Sequence, residues 1–281
     1  MEDKEKTFMT ESSLHFTLLI PAYNEEERIA GTLKEYAEYF RSQFSGDIKI
    51  LVILNGCQDA TLEVVRSCAK QYSEIEALEF KAPIGKGGAL IEGLKLAPQT
   101  DIIGYTDADG ATPPEAMLTL LRKCYESDGV IGSRWLPDSK LHQAQTITRR
   151  FVSRVFHRIV QCLFRLGFKD TQCPAKVFKK EPIIKIHDGL MIADLAFDVN
   201  LLYLLKREGF EVIEVGTDWT DKLGSKVTQT LFRSSLTMLF SVVRLRLIYS
   251  PLRRLMPWFR PLEAWIYKKL RAPFLTTLKT R

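Results

Sequence analysis

The 281-residue sequence holds five cysteines, Cys57, Cys68, Cys124, Cys162 and Cys173, and none belongs to a Cys-x-x-Cys pair. An odd number at wide spacing supports neither a disulfide framework nor a zinc site and predicts a reducing compartment. Long apolar runs are also missing. From residue 222 onward the longest uncharged stretch, Ser234 to Val243, has ten members, against the roughly 20 needed to cross a bilayer. The opening MEDKEKTFMTESS is polar and charged, which predicts no signal peptide and a cytoplasmic protein. Histidine is scarce: His15, His142, His157 and His187 are scattered without an evident serine pairing, and structural roles are expected for them. Internal repeats and low-complexity stretches are absent.

What is present is a globular composition. With 46% hydrophobic and 26% charged residues the chain buries a full core, which excludes disordered and fibrous classes. The net charge of +6 conceals an asymmetry. Residues 222–281 carry thirteen Lys or Arg against Glu263 alone, a net of +12, so the first 221 residues carry 27 minus 33, or −6.

The first half alternates apolar runs with helical patterns. FTLLI (16–20), IKILVIL (48–54), IEALEF (75–80) and DIIGYT (101–106) read as strands. Between them, Ile29, Leu33, Tyr36, Ala37 and Phe40 form one helical stripe, with Glu25, Glu26 and Glu27 expected in its first turn, where the helix dipole favours negative charge. A second helix is expected after Asp59 as N-cap, with Val64, Val65, Cys68 and Tyr72 inward. This order implies an α/β fold, a mostly parallel sheet with helices on both faces. Ligands then sit at the carboxyl ends of the strands, where PAYNEEER, NGCQD and DADGAT fall. After about residue 140 long helices dominate, with a single strand near 210–215, and this half is expected to cover one end of the sheet on the acceptor side.

Asp107 and Asp109 flank Ala108 directly after an apolar strand. Residues two apart in extended chain point to one side, so both carboxylates can meet one hard cation that neutralises a departing diphosphate. The alternative is a solvated turn rich in Asp and Gly. Gly85-Lys86-Gly87-Gly88 suits phosphate oxygens but matches neither standard phosphate-loop template; a helix start with glycines for close packing is the other reading.

The segments PAYNEEERI, GKGGA, DADGAT, GSR, DTQCPAKVF, FDVNLLYL and DWTDKLGSKV, in this order, resemble the dolichyl-phosphate β-glucosyltransferases. These are inverting family 2 glycosyltransferases of the GT-A fold, related to dolichyl-phosphate mannose synthase. The resemblance spans roughly residues 16 to 250 and implies a role for each matching position. Pro21, Ala22, Tyr23 and Glu25 match the segment that holds the nucleoside, Asp59 the acid of the second nucleotide loop, and Lys86 a lysine of the nucleotide side. Asp107, Ala108 and Asp109 match the metal and diphosphate motif, with Mg²⁺ or Mn²⁺ as cofactor. Gly224, Ser225 and Lys226, with Trp219 upstream, match a phosphate-gripping segment; Asp170, Thr171, Gln172 and Lys176 match the stretch that walls the sugar and acceptor phosphate; Asp198 matches the acid before NLLYLL. The chain departs from the family at Ile53-Leu54-Asn55-Gly56-Cys57, where Val-Asp-Asp-Gly-Ser is usual, leaving Asn55 to hydrogen-bond the base. Pro174 stands where Gly is common, and the N-terminal membrane anchor of many eukaryotic members has no counterpart in the sequence.

A lipid-phosphate acceptor is already an anion, its second pKa being about 6, so the reaction needs positioning and leaving-group stabilisation, not a general base. Asp194 or Asp198 would serve as base only for a hydroxyl acceptor, and orientation is the role expected of Asp198. Between 145 and 168, Arg150, Arg154, Arg158 and Arg165 fall within an arc of roughly 80° at about 100° per residue, opposite Val152, Val155, Ile159 and Leu163. That stripe is either a solvated face or a cradle for the lipid phosphate, joined by Arg149 and Arg134. The basic, aromatic-rich tail suits helices lying in a bilayer interface; its bulky aliphatic content argues against nucleic acid.

The expected organisation is a flexible segment 1–13, a catalytic domain 14–223, and an interfacial region 224–281. The function implied is transfer of a hexose, glucose from UDP-glucose, to a polyprenyl phosphate at the cytoplasmic membrane face by a peripherally associated enzyme. The alternatives are another sugar nucleotide such as GDP-mannose, a hydroxyl acceptor, or a sugar-nucleotide-binding or scaffolding protein without turnover.

Overall fold

A computed structural model describes residues 10–141, 147–220, 231–251 and 253. Nine strands and eight α-helices are seen among them. In chain order they are β1 His15–Ala22, α1 Ile29–Gln43, β2 Asp47–Asn55, α2 Thr61–Gln71, β3 Ile75–Phe80, α3 Lys86–Leu94, β4 Ile102–Tyr105, α4 Pro114–Lys123 and β5 Gly129–Ser133. There follow β6 Lys140–Leu141, α5 Ile147–Phe164, β7 Lys176–Lys179, α6 Lys180–Ile186, α7 Phe197–Arg207, β8 Val212–Gly216, β9 Asp218–Trp219 and α8 Leu231–Ile248.

Seven strands form one sheet in the order β3-β2-β1-β4-β7-β5-β8, and β6 pairs with β9 in a separate ribbon. β3, β2, β1 and β4 run parallel, as the alternating pattern predicts. Their side chains alternate between two cores. Phe16, Leu18, Ile20, Ile50, Val52 and Ile102 face the layer of α1, α2 and α4, while Leu19, Leu51, Ile53, Ile103 and Tyr105 face that of α3, α5, α6, α7 and α8. Burial on both faces is what makes β1, β2 and β4 read as continuous apolar runs, whereas the edge strand β3 keeps Glu76 and Glu79 exposed.

The second half differs from its expectation. It does not merely cap the sheet: β7 inserts antiparallel between β4 and β5, and β8 closes the far edge beside β5. β7 is only four residues long and two of them are lysines, one wholly buried, so its pattern carries little strand signal. On α5 the apolar set opposite the arginines is only partly turned inward: Leu163 packs against the core. Val160 and Phe164 are buried, whereas Val155 is exposed; Arg154, Arg158 and Arg165 lie on the exposed face.

Two helix starts are shifted. Glu25 to Arg28 make a turn, and α1 begins at Ile29. Tertiary bonds hold this turn away from the helix: Glu25 N donates to Thr61 Oγ1 at 2.8 Å, and Ala60 N donates to Glu26 Oε2 at 2.7 Å. Asn24 bends the chain into it with φ +54°, a conformation asparagine tolerates. Asp59 lies one residue before the cap position of α2, from which Oδ1 accepts Thr61 N at 3.1 Å. At the N-terminus, Ser13 closes a short 3₁₀ turn that starts at Glu11, whose carboxylate bonds Arg122 Nε at 2.9 Å.

β1 lies at the point where the strand order reverses, with β2 and β3 on one side and β4 on the other, so a crevice opens at the carboxyl ends of β1 and β4. Helix α1 fixes the loop that follows β4: Thr32 Oγ1 donates to Ala108 O at 3.0 Å and Tyr36 OH to Thr112 O at 2.9 Å, both buried. Thr32→Val and Tyr36→Phe each remove one of these bonds and leave a buried carbonyl unpaired, so each is expected to lower unfolding stability by about 1–2 kcal/mol. Urea denaturation checks this; unchanged midpoints in both variants would show that the loop is held by other means.

Candidate active site

At that crevice lies a cavity of about 290 Å³ lined by Pro21, Ala22, Tyr23, Glu25, Arg28, Asn55, Lys86, Asp107, Ala108, Asp109 and Leu195. Each lining segment is the carboxyl end of a strand or the loop after it, except the start of α3 and the loop before α7. Pro21 and Ala22 end β1, Asn55 ends β2, and Asp107 to Asp109 follow β4.

The charges are interleaved. Lys86 pairs with Asp107 Oδ1, and their side chains remain 28% and 34% exposed, so water or a ligand can compete for either. Burial opposes the charge on Lys86, but Asp107 and Asp198 more than offset it, and its pKa rises above the ordinary lysine value. Burial and then repulsion from Asp107 push the Asp109 carboxyl above the usual aspartate range, despite the Ala111 N–H, Arg28 and Lys86. Arg28 is tethered to Glu25 Oε2 through Nε at 2.9 Å and Nη2 at 2.5 Å, while its buried Nη1 has no hydrogen-bond partner.

This arrangement fits a divalent cation. Asp107 and Asp109 line the same cavity and repel each other, and hard carboxylate oxygens are the ligands Mg²⁺ and Mn²⁺ prefer. Among the described residues no group of three or more His, Cys, Asp or Glu stands together. The protein thus offers two carboxylates, which leaves positions for water and diphosphate oxygens.

Asp59 stands off the cavity wall. It accepts from Thr61 Oγ1 at 2.5 Å and Glu26 N at 3.4 Å, tying the loop after β2 to the turn that bears Glu25. Burial raises its pKa, and the Thr61 hydrogen bonds outweigh that and lower it. Asn55 Oδ1 accepts Ile84 N at 2.7 Å, so its free function toward a ligand is the amide NH₂.

Beneath the cavity is a dry polar cluster. Lys176, wholly buried on β7, donates to Asp198 Oδ1 at 2.6 Å and to Cys173 O; Tyr105 OH donates to the same Asp198 oxygen at 2.5 Å. Lys176 and Tyr105 are register partners across β7 and β4. Neither Lys176 nor Asp198 lines the cavity; the expected wall residue Lys176 instead sits inside the sheet layer.

A further cluster joins Arg134, Asp170 and Trp219. Arg134 bonds Asp170 bidentately, Nε to Oδ2 at 2.7 Å and Nη2 to Oδ1 at 3.0 Å, and stacks 5.3 Å from the Trp219 ring centroid. Gln172 N donates to Asp170 Oδ1 at 3.2 Å. Buried Trp219 Nε1 and Gln172 Nε2 have no partner. Burial raises the Asp170 pKa, and Arg134 overcomes this to hold it below the ordinary range. Arg149 and Arg150 are on α5, but their side chains, like Gly224, Ser225 and Lys226, lie outside the described residues.

Of the expected nucleotide-side residues, the cavity gathers Pro21, Ala22, Tyr23, Glu25, Asn55, Lys86, Asp107 and Ala108, and not Asp59. It adds Arg28 and Leu195. Arg28 closes the acidic run of PAYNEEER and stands out only in the folded crevice; Leu195 carries no chemical signal and is placed only by the tertiary fold. The glycines of Gly85–Gly88 satisfy the packing reading: a Cβ on Gly87 would lie 2.5 Å from Ile192 O and 2.7 Å from Phe197 Cβ.

The fold and this crevice define a nucleotide-sugar transferase. Residues 17–186, more than half of the chain, match the model of glycosyl transferase family 2, and the chain belongs to that family. Within it, the chain is 33% identical over 249 residues to the dolichyl-phosphate β-glucosyltransferase of Dictyostelium discoideum, covering 84% of this chain and 75% of that one. The Drosophila melanogaster protein of the same name is 31% identical over 77% of this chain and 70% of its own. Among solved structures, glucosyl-3-phosphoglycerate synthase from Mycobacterium tuberculosis with Mn²⁺, UDP and glucosyl-3-phosphoglycerate shares the fold, with TM-score 0.60, 13% identity and coverage of 86% and 83%.

Replacing one partner of the Lys176–Asp198 pair strands a buried charge. Lys176→Met or Asp198→Asn alone is expected to cost about 3–5 kcal/mol, and the double variant less than the sum; additive losses in denaturant titrations would break the claim that the two act as a pair. The Asp170 carboxyl titrates lower folded than unfolded, so its stabilisation is present above its unfolded pKa of about 3.9 and is lost as pH falls through the folded value. Asp170→Asn should therefore flatten the loss of stability as pH falls below about 4, and parallel acid limbs in both proteins would contradict it.

Proposed function

We propose that this glycosyltransferase moves glucose from UDP-glucose to a polyprenyl phosphate, with inversion, on a membrane surface. The observation that carries the reading is the cavity in which Asp107, Asp109, Lys86 and Arg28 converge at the carboxyl ends of β1 and β4. It is supported by the dolichyl-phosphate β-glucosyltransferases among its relatives.

In this reading Pro21, Ala22, Tyr23 and the Asn55 amide bind the nucleoside. Asp107 and Asp109 hold Mg²⁺ or Mn²⁺, and a bound cation supplies charge neutralisation for the leaving diphosphate. Lys86 and Arg28 add cationic donors beside it. Arg134, oriented by Asp170 and stacked on Trp219, meets the acceptor phosphate with the guanidinium edge that Asp170 leaves open. A phosphate oxygen attacks the anomeric carbon from the face opposite the diphosphate. One C–O bond forms as the C–O bond to the β-phosphate breaks, so UDP departs and no proton need be removed, the acceptor being an anion above about pH 6. Asp198, occupied by Lys176 and Tyr105, orients the floor of the site.

Attachment to the membrane falls to the C-terminal region. No described helix is long and apolar enough to cross a membrane. α8 exposes Phe240 and Val243 beside Arg246, a mixture suited to an interface, where each nearby basic residue contributes about 1 kcal/mol of attraction to anionic lipid.

Turnover is measured as UDP released from labelled UDP-glucose with Mn²⁺ and polyprenyl phosphate in anionic liposomes. The wild type is expected to turn over and Asp109→Ala to lose roughly a hundredfold or more. Equal rates in the two would end this assignment, and turnover with GDP-mannose but not UDP-glucose would move it to the other donor.

A further inference from the structure

The family match ends at residue 186, yet the cavity takes one wall, Leu195, from beyond it. Leu195 belongs to the loop 189–196 between α6 and α7. This loop lies directly on the segment that carries Lys86. Gly88 N donates to Ala193 O at 3.1 Å, and the φ of +82° at Gly85 brings that backbone so close to Ala193 O that no side chain fits between them. The position of the loop therefore sets both Leu195 and the first turn of α3.

The loop is in turn gripped at its two ends by the C-terminal helix and the residue that follows it. Ser241, wholly buried in the middle of α8, donates its hydroxyl to Asp194 Oδ2. Asp194 uses its other oxygen to accept Ala196 N at 2.9 Å, shaping the entry into α7. One residue past α8, Tyr249 OH donates to Gly189 O at 3.0 Å; its ring packs at a 54° tilt with its centroid 5.0 Å from that of Tyr203, and Arg207 lies over it at 5.4 Å. From α7, Asn200 Oδ1 accepts Met191 N at 2.7 Å and Ile192 N at 3.2 Å. Val242 and Leu245, next to Ser241 on the same helix, are fully buried in the core layer that holds Phe197 and Leu90. α8 is thus fixed to the body where it holds the loop, and its outward face presents Phe240 and Val243.

We infer that Ser241 and Tyr249 are positioning residues for donor binding: through Asp194 and Gly189 they hold the loop 189–196 against Gly85–Gly88, and so place Leu195 and Lys86 around the nucleotide diphosphate. The helix read as the membrane-facing element is, on this account, also part of the donor site. The inference rests on the proposed donor reading only for the identity of the nucleotide, not for the coupling itself.

The test has two arms. In the ligand-free full-length protein, hydrogen exchange reports the coupling whatever the donor is: Ser241→Ala and Tyr249→Phe are expected to speed exchange at Gly88, Met191 and Ile192, and Ser241→Thr to restore it. In the second arm, calorimetric titration with UDP-glucose and Mn²⁺ is expected to give a dissociation constant, and turnover a KM for the donor, raised roughly three- to tenfold in each variant with kcat changed less. Unchanged exchange at those amides, or variants that melt earlier yet bind UDP-glucose like the wild type, would overturn the inference. If the exchange arm holds while the wild type binds no UDP-glucose, the coupling stands and the donor reading is what fails.

Discussion

Two carboxylates placed side by side at the end of a strand repel each other, and the organisation of the site follows from the need to balance them. Asp107 and Asp109 occupy the loop after β4, and Glu25 faces the same cavity. The counter-charges come from elsewhere in the chain, Lys86 from the start of α3 and Arg28 from the turn before α1. Each cation is delivered by a segment bent through positive φ, at Gly85 and at Asn24. Glycine and asparagine adopt that region readily, and the bonds to Thr61, Asp59 and Ala193 fix the two segments in it. The balance at the mouth is left incomplete, since burial and Asp107 still raise the Asp109 pKa. In the proposed function a divalent cation would complete it.

Below the mouth, the same kind of contact has a different consequence. Lys86–Asp107 and Lys176–Asp198 are both lysine–aspartate pairs, but the first is about one-third exposed and the second is closed to water. An exposed pair is worth little and exchanges partners readily; a buried one is costly to break because the remaining charge has nowhere to go. Lys86 can therefore hand Asp107 to a cation and take a phosphate oxygen, whereas Lys176 is held by Asp198 and the Cys173 carbonyl. Tyr105, two residues before Asp107, hydrogen-bonds into that fixed pair. The strand end that carries Asp107 and Asp109 is thus anchored from below by Tyr105 and from α1 by Thr32.

The parts of this arrangement legible in sequence are those with a period or a chemical motif. β1, β2 and β4 were legible because both faces are buried, and the cavity residues Pro21 to Tyr23, Glu25, Lys86 and Asp107 to Asp109 fall in clusters placed at the ends of apolar runs or at a helix start. β7 was not legible: four residues, KVFK, whose buried lysine makes the strand look solvated. β5, GVIGS, is short and glycine-rich for a physical reason, since a Cβ at Gly129 would run into Phe178 of β7. On α5 the arginine stripe is legible and its described members are exposed, but which apolar residues go inside is not: Val155 is exposed while Val160 and Phe164 pack in the core, a choice that only the neighbouring helices decide. Arg28 and Leu195 needed the folded crevice to be recognised, the first hidden among acids and the second chemically silent. Glu25 to Glu27 looked like the first turn of a helix because the dipole rule favours them there, but bonds to Thr61 and Ala60 won over local preference.

The state of the remaining carboxylates bears on the nature of the acceptor. A general base needs a carboxylate oxygen that can reach the nucleophile and accept its proton. Asp198 Oδ1 already accepts from Lys176 and Tyr105, and the residue is buried. Asp194 accepts from Ser241 on one oxygen and Ala196 N on the other. Asp170 is clasped bidentately by Arg134, which lowers its basicity further. Asp107 is paired with Lys86, and taking up a cation would engage it and Asp109 still more. Asp198, Asp194 and Asp170 are thus committed within the protein, and in the proposed reading Asp107 and Asp109 are taken up by the cation, so a neutral hydroxyl would find few proton acceptors, whereas a phosphate monoester brings its own negative charge and requires only a cationic partner. The chemistry of the acceptor and the occupancy of these side chains are in that sense one constraint: a site that spends its acids on cations selects for a nucleophile that arrives already deprotonated.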